Sequence, residues 1–563
     1  MLIKNLKILI FIIFFLYQNS VFSKTNDLNE FNHRYLSNYF SAIVSFDNQN
    51  NDKALKFFNS SKYLIKKHDN FLREYTISLV ENGQILKSIK QIKKTKNPKQ
   101  NNFPEAQILL LVDSLINEDW NNINNILTKL KAFQNEDTYE FITHKILNSY
   151  FKLFKNNEIS SKEIKDYGNL SLITKAFQSC YIESEETENL FANIINSSEG
   201  DYSRYLFFYL SQILLNNDFE TATEISQTID PISSGLLISQ LKKWIDQSEY
   251  ESITNSFSCK NKKHLIAEFF FLISNLYAAD ENYLKSNFYL NISYFLNPDF
   301  YFNLSLLAEN YFINENYTSS KKILDVFLEK DEVYFWFKVK KNTQIFKKEQ
   351  KNKDALKYLE KNFAKIKNPS IKIIFDMANF YKSFKQYDEA IKLYSELLRK
   401  IDKNSNSYAD VLYRRGGCYE RIKKFKKSDE DLLQSLNIKP SDPYVMNYLA
   451  YSWLERDYKI DEALLMLEDA YNQEQDDPYI IDSIGWAYYL IKDYEKAEKY
   501  LVQAVQLMPD DPIVNDHYGD ILWKLNRKIQ ARYFWKNTLK LKDIDEEMTK
   551  KIKLKLLKGL DKI

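Results

Sequence analysis

A small side chain recurs along this sequence at a nearly constant spacing, and that spacing limits the possible folds more than any other feature. Serine or alanine occupies eight positions at steps of 34, 35, 35, 38, 35, 34 and 34 residues: Ser286, Ser320, Ala355, Ala390, Ser428, Ala463, Ala497 and Ala531. A large side chain stands four residues after each of them: Leu290, Leu324, Leu359, Tyr394, Leu432, Leu467, Leu501 and Trp535. Because residues four apart share one face of an α-helix, each pair marks an equivalent point on a repeated helix. We call the eight small positions the small-residue ladder.

A second set of small residues indicates what each ladder position packs against. These residues precede the ladder position by twelve or thirteen residues: Ala378, Gly416, Ala450, Gly485 and Gly519. Small side chains at a helix crossing let two axes approach to ~8–10 Å. Each unit is therefore predicted to contain a first and a second helix, packed antiparallel. Prolines that cannot extend the second helix follow it in three units. Residues that can cap the next first helix precede it in pairs: Ser441 and Asp442, Asp476 and Asp477, and Asp510 and Asp511.

Length and composition agree with a helical repeat array. The chain has 563 residues, more than the ~250–300 at which single hydrophobic cores stop growing. Only 9 glycines and 10 prolines occur, whereas sheet proteins need both residue types in their many turns. We therefore predict an all-α fold, a right-handed superhelical solenoid of antiparallel helix pairs.

The pattern divides the chain into segments. A regular array is predicted over 261–542 and divergent repeats over 24–260, where Ala54, Ser88 and Ala222 continue the ladder. The spacing drifts between 100 and 260, and a separate helical domain is the alternative there. An amphipathic helix in 543–563 is predicted to cap the array, because the last repeat of a solenoid exposes an apolar face. Binding to a membrane surface is the alternative for that helix.

The N-terminus has the three parts of a secretory signal. Lys4 and Lys7 precede the apolar run Ile8–Leu16, and Val21-Phe22-Ser23 offers short side chains before a cut at Lys24. The run is shorter than the ~20 residues of a membrane-spanning helix. We predict a signal peptide over 1–23 and an exported protein of the periplasm or cell envelope. The alternative is an uncleaved anchor that tethers the protein to the inner membrane.

No catalytic motif stands out. Five histidines occur, without a zinc-protease motif, a nucleophile elbow or a phosphate-binding glycine loop. His517 lies between Asp516 and Asp520, and a hydrated polar groove is preferred to a metal site. Cys180, Cys259 and Cys418 are widely spaced, so all three are interpreted as buried apolar residues without disulfides. The net charge of +2 does not indicate nucleic-acid binding. We expect a non-enzymatic protein with no catalytic residues, cofactor or metal.

Helical spacing instead predicts a binding groove along the first helices of the last three pairs. The candidate residues combine aromatic rings with Asn and Asp, which suits recognition of a peptide or protein segment. They are Tyr444, Asn447, Tyr451, Asp482, Trp486, Tyr489, Asp516, Asp520 and Trp523. Packing between neighbouring repeats is the alternative role for these side chains. The three aspartates favour a basic or neutral partner segment.

The repeat resembles the tetratricopeptide (TPR) pattern. The stretch IIDSIGWAYYLIKDYEKAEKYLVQAVQLMP at 480–509 carries it most clearly. The run from Asn447 to Leu501 is also similar to long exported TPR proteins of proteobacteria. Some of these are outer-membrane lipoproteins that hold a periplasmic carboxyl-terminal processing protease and its substrates, but this chain lacks the lipid-bearing cysteine that would directly follow the apolar run. The resemblance implies a protein-interaction scaffold or adaptor whose partner is a periplasmic protease or an envelope assembly factor. A membrane-tethered structural component is the alternative.

Overall fold

The computed structural model describes residues 33–68, 70–95, 100–131, 133, 138–159, 167–197, 202–542, 544 and 546–560. The predicted signal peptide, 1–23, lies outside the described residues. Within these ranges the regular structure consists of 30 α-helices and a short 3₁₀ helix at Lys62–Lys66, with no β-strand. The all-α prediction is confirmed. No helix in the same ranges has both the length and the apolar character needed to cross a membrane.

The helices follow one another with short connections. The first fifteen are α1 (His33–Asp47), α2 (Asn51–Ser60), α3 (Phe71–Glu81), α4 (Ile85–Lys94), α5 (Pro104–Ile116), α6 (Trp120–Lys131), α7 (Tyr139–Asn156), α8 (Asn169–Tyr181), α9 (Thr187–Ile195), α10 (Tyr205–Leu215), α11 (Phe219–Gln227), α12 (Leu236–Asp246), α13 (Tyr250–Ser256), α14 (Lys262–Ala279) and α15 (Tyr283–Leu296). The other fifteen are α16 (Phe302–Ile313), α17 (Tyr317–Leu324), α18 (Glu332–Lys348), α19 (Asn352–Phe363), α20 (Ile371–Ser383), α21 (Tyr387–Leu397), α22 (Asn406–Arg421), α23 (Phe425–Ile438), α24 (Pro443–Leu454), α25 (Ile460–Gln473), α26 (Pro478–Leu490), α27 (Tyr494–Leu507), α28 (Pro512–Lys524), α29 (Lys528–Thr538) and α30 (Glu546–Lys558).

The small-residue ladder lies where predicted, on the second helix of each pair from α15 to α29. All eight ladder residues and all eight large partners are completely buried. In α26, a Cβ atom added to Gly485 would lie 2.8 Å from Cγ of Leu501, and in α28 one added to Gly519 would lie 2.5 Å from the Trp535 ring. Both distances are shorter than a real carbon–carbon contact allows. The first helix therefore presents glycine because the large side chain of the second helix occupies that space.

The predicted helix caps are also present. The side chains of Asp442, Asp477 and Asp511 each accept hydrogen bonds from two backbone N–H groups in the first turn of α24, α26 and α28. A proline occupies the first turn of each of these helices, where its missing N–H costs no helical hydrogen bond. This Asp-Pro arrangement fixes where each first helix begins.

Overpacking one crossing tests the ladder. Ala497 in α27 is completely buried, and leucine there has no space beside Gly485 and Leu501. We expect Ala497→Leu to lower the free energy of unfolding by ~1–3 kcal/mol, measured by urea denaturation. The exposed Gln506 on the same helix provides the control, because Gln506→Leu leaves stability within about 0.5 kcal/mol. Equal stability of the two variants would show that the crossing is not close-packed.

The helices pack into two compact units, and each unit uses two separate stretches of chain. The first unit takes residues up to Asn196 together with Asn255–Ser320, and the second takes Ser197–Thr254 together with residues from Lys321 onward. The chain therefore leaves the first unit, contributes a short stretch to the second, returns, and leaves again. The boundaries predicted from the sequence, at 260/261 and 542/543, separate divergent repeats, the regular array and the capping helix. The two packing units are a different division of the chain, so those boundaries stay predictions.

Within the first unit, helices distant in sequence meet. The hydroxyl of Tyr311 in α16 donates to Oε2 of Glu81 in α3 at 3.0 Å. The side-chain amide of Asn316 donates to the backbone oxygen of Gln49 at 2.8 Å. The stretch 255–320 is thus bonded to the N-terminal helix pairs of the same unit.

A disulfide joins the two stretches of the first unit. Cys180 at the end of α8 is bonded to Cys259, 79 residues later. Next to it, Nζ of Lys260 donates to the backbone oxygen of Tyr181 at 3.0 Å. The interpretation of all three cysteines as unpaired apolar residues is wrong for this pair, because packing brings together two positions that sequence spacing keeps apart. Cys418 is buried and unpaired.

Within the second unit, the stretch before α12 lies against first helices of the array. Nζ of Lys372 in α20 donates to the backbone oxygen of Ile232 at 2.5 Å, and the hydroxyl of Ser407 in α22 donates to Asp230. Helix α12 also packs against α18, where Lys243 and Glu332 lie 3.7 Å apart. The N-terminal ends of these first helices are therefore covered by the chain itself.

The last helix, α30, continues the array by half a repeat. It begins at Glu546, and α28 begins at Pro512, 34 residues earlier. Ile552 is completely buried, and Met548, Leu556 and Leu560 pack on the same core as the final helix pair. Helix α30 therefore occupies the place of a next first helix and covers the apolar end of the array.

Candidate protein-binding groove

The nine predicted site residues lie on three successive first helices. Tyr444, Asn447 and Tyr451 are on α24, Asp482, Trp486 and Tyr489 are on α26, and Asp516, Asp520 and Trp523 are on α28. We call the surface formed by these nine residues the first-helix face. Because each helix repeats the previous one about 34 residues later, equivalent positions line up across the three helices. Nothing in the structure shows a partner bound there, so binding by these residues stays a prediction.

Exposure divides the first-helix face into two parts. Tyr444 is 50% exposed, and four further residues are half-buried: Asn447, Tyr451, Trp486 and Tyr489. The remaining four residues are buried: Asp482, Asp516, Asp520 and Trp523. Only the α24 side and the aromatic part of α26 therefore offer side chains to another molecule.

An aromatic stack is the centre of the accessible part. The ring of Trp486 lies 4.0 Å from the imidazole of His517 and 4.6 Å from the ring of Tyr489, nearly parallel to both. Tyr451 approaches His517 from α24, with 6.4 Å between ring centres. The stack holds the Trp486 indole in a fixed position, so little side-chain entropy would be lost if a partner packed on it.

A buried ion pair with Asp482 holds His517 in place. Its Nδ1 lies 2.9 Å from Oδ2 of Asp482 in α26, and both side chains are buried. Burial alone would lower the pKa of His517, but the charge and hydrogen bond of Asp482, with Asp516 and Asp520 nearby, raise it above its ordinary value. The interpretation of this region as a hydrated polar groove is wrong, because the charges are paired inside the protein. Among the described residues, no group of three or more His, Cys, Asp or Glu could hold a metal ion.

The other two aspartates are paired with a lysine from the last helix. Nζ of Lys555 in α30 lies 2.5 Å from Oδ1 of Asp516 and 2.7 Å from both carboxylate oxygens of Asp520. The indole N–H of Trp535 also donates to Asp520 at 2.9 Å. Burial, with the charge of Asp516, raises the pKa of Asp520 to about 6, although Lys555 acts in the opposite direction. Lys555 itself is 1% exposed.

These pairs change the charge that a partner would meet. Asp482, Asp516 and Asp520 do not present free negative charge, since His517 and Lys555 bind them inside the protein. The reason for expecting a basic partner segment is therefore removed. Sequence reasoning overlooked Lys555, although the 34-residue step from α28 to α30 would have placed α30 beside those aspartates.

Trp523 belongs to the core of the last helix pair. It is 8% exposed and its ring centre lies 5.3 Å from that of Trp535. It also packs closely against Gly559, just after the end of α30. With these neighbours the indole is not accessible to another molecule, in contrast to Trp486.

Comparison with known proteins supports the repeat assignment. The family described as Tetratricopeptide repeat matches residues 409–442 and 480–511, which cover most of the helix pairs α22–α23 and α26–α27. TPR repeat-containing protein PA4667 of Pseudomonas aeruginosa is 26% identical over 180 residues, which is 32% of this chain and 30% of that protein. Anaphase-promoting complex subunit 3 of Schizosaccharomyces pombe is 24% identical over 115 residues, 20% of this chain and 16% of that protein. The matches thus span less than a third of either relative's length.

Solved structures with similar helix pairs cover part of the chain. A tetratricopeptide repeat protein from Parabacteroides merdae aligns with 45% of this chain and 98% of its own, at 15% identity and a TM-score of 0.38. Proteins with such repeats are generally scaffolds that bind other proteins, and their fold is typically not catalytic. The two matched repeats here share their helix pairing and ladder contacts with the unmatched pairs beside them. The chain therefore contains tetratricopeptide repeats at 409–442 and 480–511, and the helix pairs beside them are built in the same way.

Proposed function

We propose that this chain is a non-enzymatic adaptor of the bacterial cell envelope that binds protein or peptide segments along its first helices. The observation that carries the proposal is the accessible aromatic stack of Tyr451, Trp486 and Tyr489 around His517. The exposed ring of Tyr444 lies on the same first-helix face. Aromatic anchors with a polar edge dominate the binding energy of many protein interfaces. A carboxyl-terminal processing protease or an envelope assembly factor is the partner class that the sequence resemblance implies.

Site-specific crosslinking tests the groove. A photo-crosslinking amino acid at Tyr444 is expected to capture protein partners in cells. A Trp486→Ala variant with the same crosslinker is expected to capture at least about tenfold less, since loss of a central aromatic anchor typically costs more than one tenfold step in affinity. Tyr533→Ala provides the control, because Tyr533 is exposed on the second helix α29. Equal capture by both variants would rule out Trp486 as an anchor.

Export to an oxidising compartment is the second part of the proposal. Disulfides persist in the periplasm and are rare in the cytosol, and the Cys180–Cys259 bond supports export together with the signal-like N-terminus. Mass spectrometry of the protein from cells is expected to give an N-terminus at Lys24. A retained segment 1–23 would favour the alternative, a membrane-tethered structural component. A cytosolic protein with reduced thiols would contradict export altogether.

A further inference from the structure

Towards the centre of the array, the first helices carry a group of basic residues in place of the paired aspartates of the last repeats. Lys382 on α20 and Arg414 and Arg421 on α22 lie close enough for their charges to interact. We call these three residues the basic strip. They lie within the second unit, next to the α24 end of the first-helix face.

Lys382 lies over a glycine. A Cβ atom added to Gly417 would lie 3.7 Å from Nζ of Lys382 and 3.3 Å from the hydroxyl of Tyr448. The ammonium group is also 5.9 Å from the centre of the Tyr413 ring. Among the described residues it has neither an ion pair nor a hydrogen bond. Burial lowers the pKa of Lys382, and the charges of Arg414 and Arg421 lower it further.

The two arginines add charge that the protein neutralises only in part. The Arg414 guanidinium lies 5.1 Å from the centre of the Phe375 ring, and its buried Nε has no hydrogen-bond partner in the described part of the chain. Arg421 is paired with Glu420, 3.4 Å from Nε to Oε2, and Glu420 also accepts from the Tyr448 hydroxyl at 3.1 Å. Among the described residues, only Arg421 of these three cations contacts a carboxylate. A buried donor and clustered positive charge are costly unless an anion pairs with them.

We propose that the basic strip binds an acidic segment of a partner protein, whose Glu or Asp carboxylates pair with Lys382 and Arg414. The aromatic rings of Tyr413 and Tyr448 border these cations and offer apolar contact beside the charges. This inference rests on the proposed adaptor function and specifies the chemistry of the partner. It reverses the sequence-based expectation of a basic segment, because the aspartates behind that expectation are already paired with His517 and Lys555.

Peptide binding to the purified full-length protein tests the inference. The probes are a fluorescent peptide of alternating Glu and Ser, a matched peptide of Lys and Ser, and a single-stranded DNA oligonucleotide of the same charge as the acidic peptide. At low salt the acidic peptide is expected to bind at least about tenfold tighter than the other two. Lys382→Glu combined with Arg414→Glu is expected to remove this binding, and added salt to weaken it.

A matched charge change provides the control. Lys403 and Lys426 are exposed and lie outside the first helices, so Lys403→Glu with Lys426→Glu should leave binding intact. Circular dichroism compares the thermal unfolding of each variant. If the protein with Lys382→Glu and Arg414→Glu does not fold, Lys382→Gln with Arg414→Gln is used instead. The inference would be overturned if the Lys382, Arg414 variant and the Lys403, Lys426 variant lost acidic-peptide binding equally, or if the oligonucleotide bound more tightly than the acidic peptide.

The cellular crosslinking experiment separates the two proposals. If the Lys382→Glu, Arg414→Glu protein still captures the partners of the unmodified protein in equal amount, the basic strip is not their binding site and the adaptor function stands. If the unmodified protein captures no partner, the adaptor function fails. If the double variant loses specific partners that the Lys403, Lys426 control retains, both proposals are supported.

Discussion

Replacing Lys555 with methionine is expected to lower the free energy of unfolding of the C-terminal part of the array by ~3–5 kcal/mol. The substitution keeps most of the side-chain volume but leaves Asp516 and Asp520 buried without their cation. Lys555 is 1% exposed, and its ammonium contacts three carboxylate oxygens. Urea denaturation followed by tryptophan fluorescence measures the change, because Trp535 donates a hydrogen bond to Asp520 and so reports on this site.

Two further variants identify the cause of that loss. Lys558→Met makes the same substitution at an exposed position of α30 and is expected to change stability by less than about 0.5 kcal/mol. Adding Asp516→Asn and Asp520→Asn to Lys555→Met should recover part of the loss, since the buried charges are then removed. If Lys555→Met and Lys558→Met are equally stable, the buried ion pairs do not hold α30 in place.

Loss of the disulfide is expected to have an effect of similar size on the first unit. The bond closes a loop of 79 residues, for which the chain-entropy estimate is ~4–5 kcal/mol. A Cys180→Ser, Cys259→Ser protein should therefore unfold at lower urea concentration than the unmodified protein. Added reductant should bring the unmodified protein down to the stability of the double variant and leave that variant unchanged.

Thiol labelling provides an independent measurement of the same bond. The sequence contains three cysteines, and Cys418 is unpaired. In denaturant without reductant, one thiol per chain is expected to react, and all three after reduction. A Cys418→Ala protein should show no reactive thiol until it is reduced. Three reactive thiols in protein purified from the periplasm would contradict the disulfide.

The fold could be predicted from sequence because its main contacts are local. A ladder residue and its crossing partner are separated by only twelve or thirteen positions, and the pitch repeats the same pair along the array. The contact between Gly485 and the large residue Leu501, four positions beyond the ladder residue Ala497, is local in the same way. Such contacts leave a periodic pattern in the sequence, and the pattern indicates which side chains are small, which are large and where helices begin.

Contacts between distant stretches leave no comparable pattern. Cys180 and Cys259 lie in the region where the repeat spacing drifts, so no periodic pattern indicated that they pair. The candidate site was predictable only in part for the same reason. Helical spacing placed Asp516 and Asp520 on the correct face, but whether that face is open depends on α30. The lysine that covers it comes from 35 residues further along the chain.

The interleaved order of the two units has a consequence for how the protein can be divided and made. Each unit is built from two stretches with a stretch of the other unit between them. A single cut after Ser320 therefore keeps both stretches of the first unit in one fragment but separates Ser197–Thr254 from the rest of the second. During N-terminal-first emergence, Ser197–Thr254 appears before the residues from Lys321 onward that finish its unit. Likewise, Cys180 can form its disulfide only after Ser197–Thr254 has been made, because Cys259 follows that segment. Ser197–Thr254 therefore has no other part of its unit to pack against until the residues from Lys321 onward have been made.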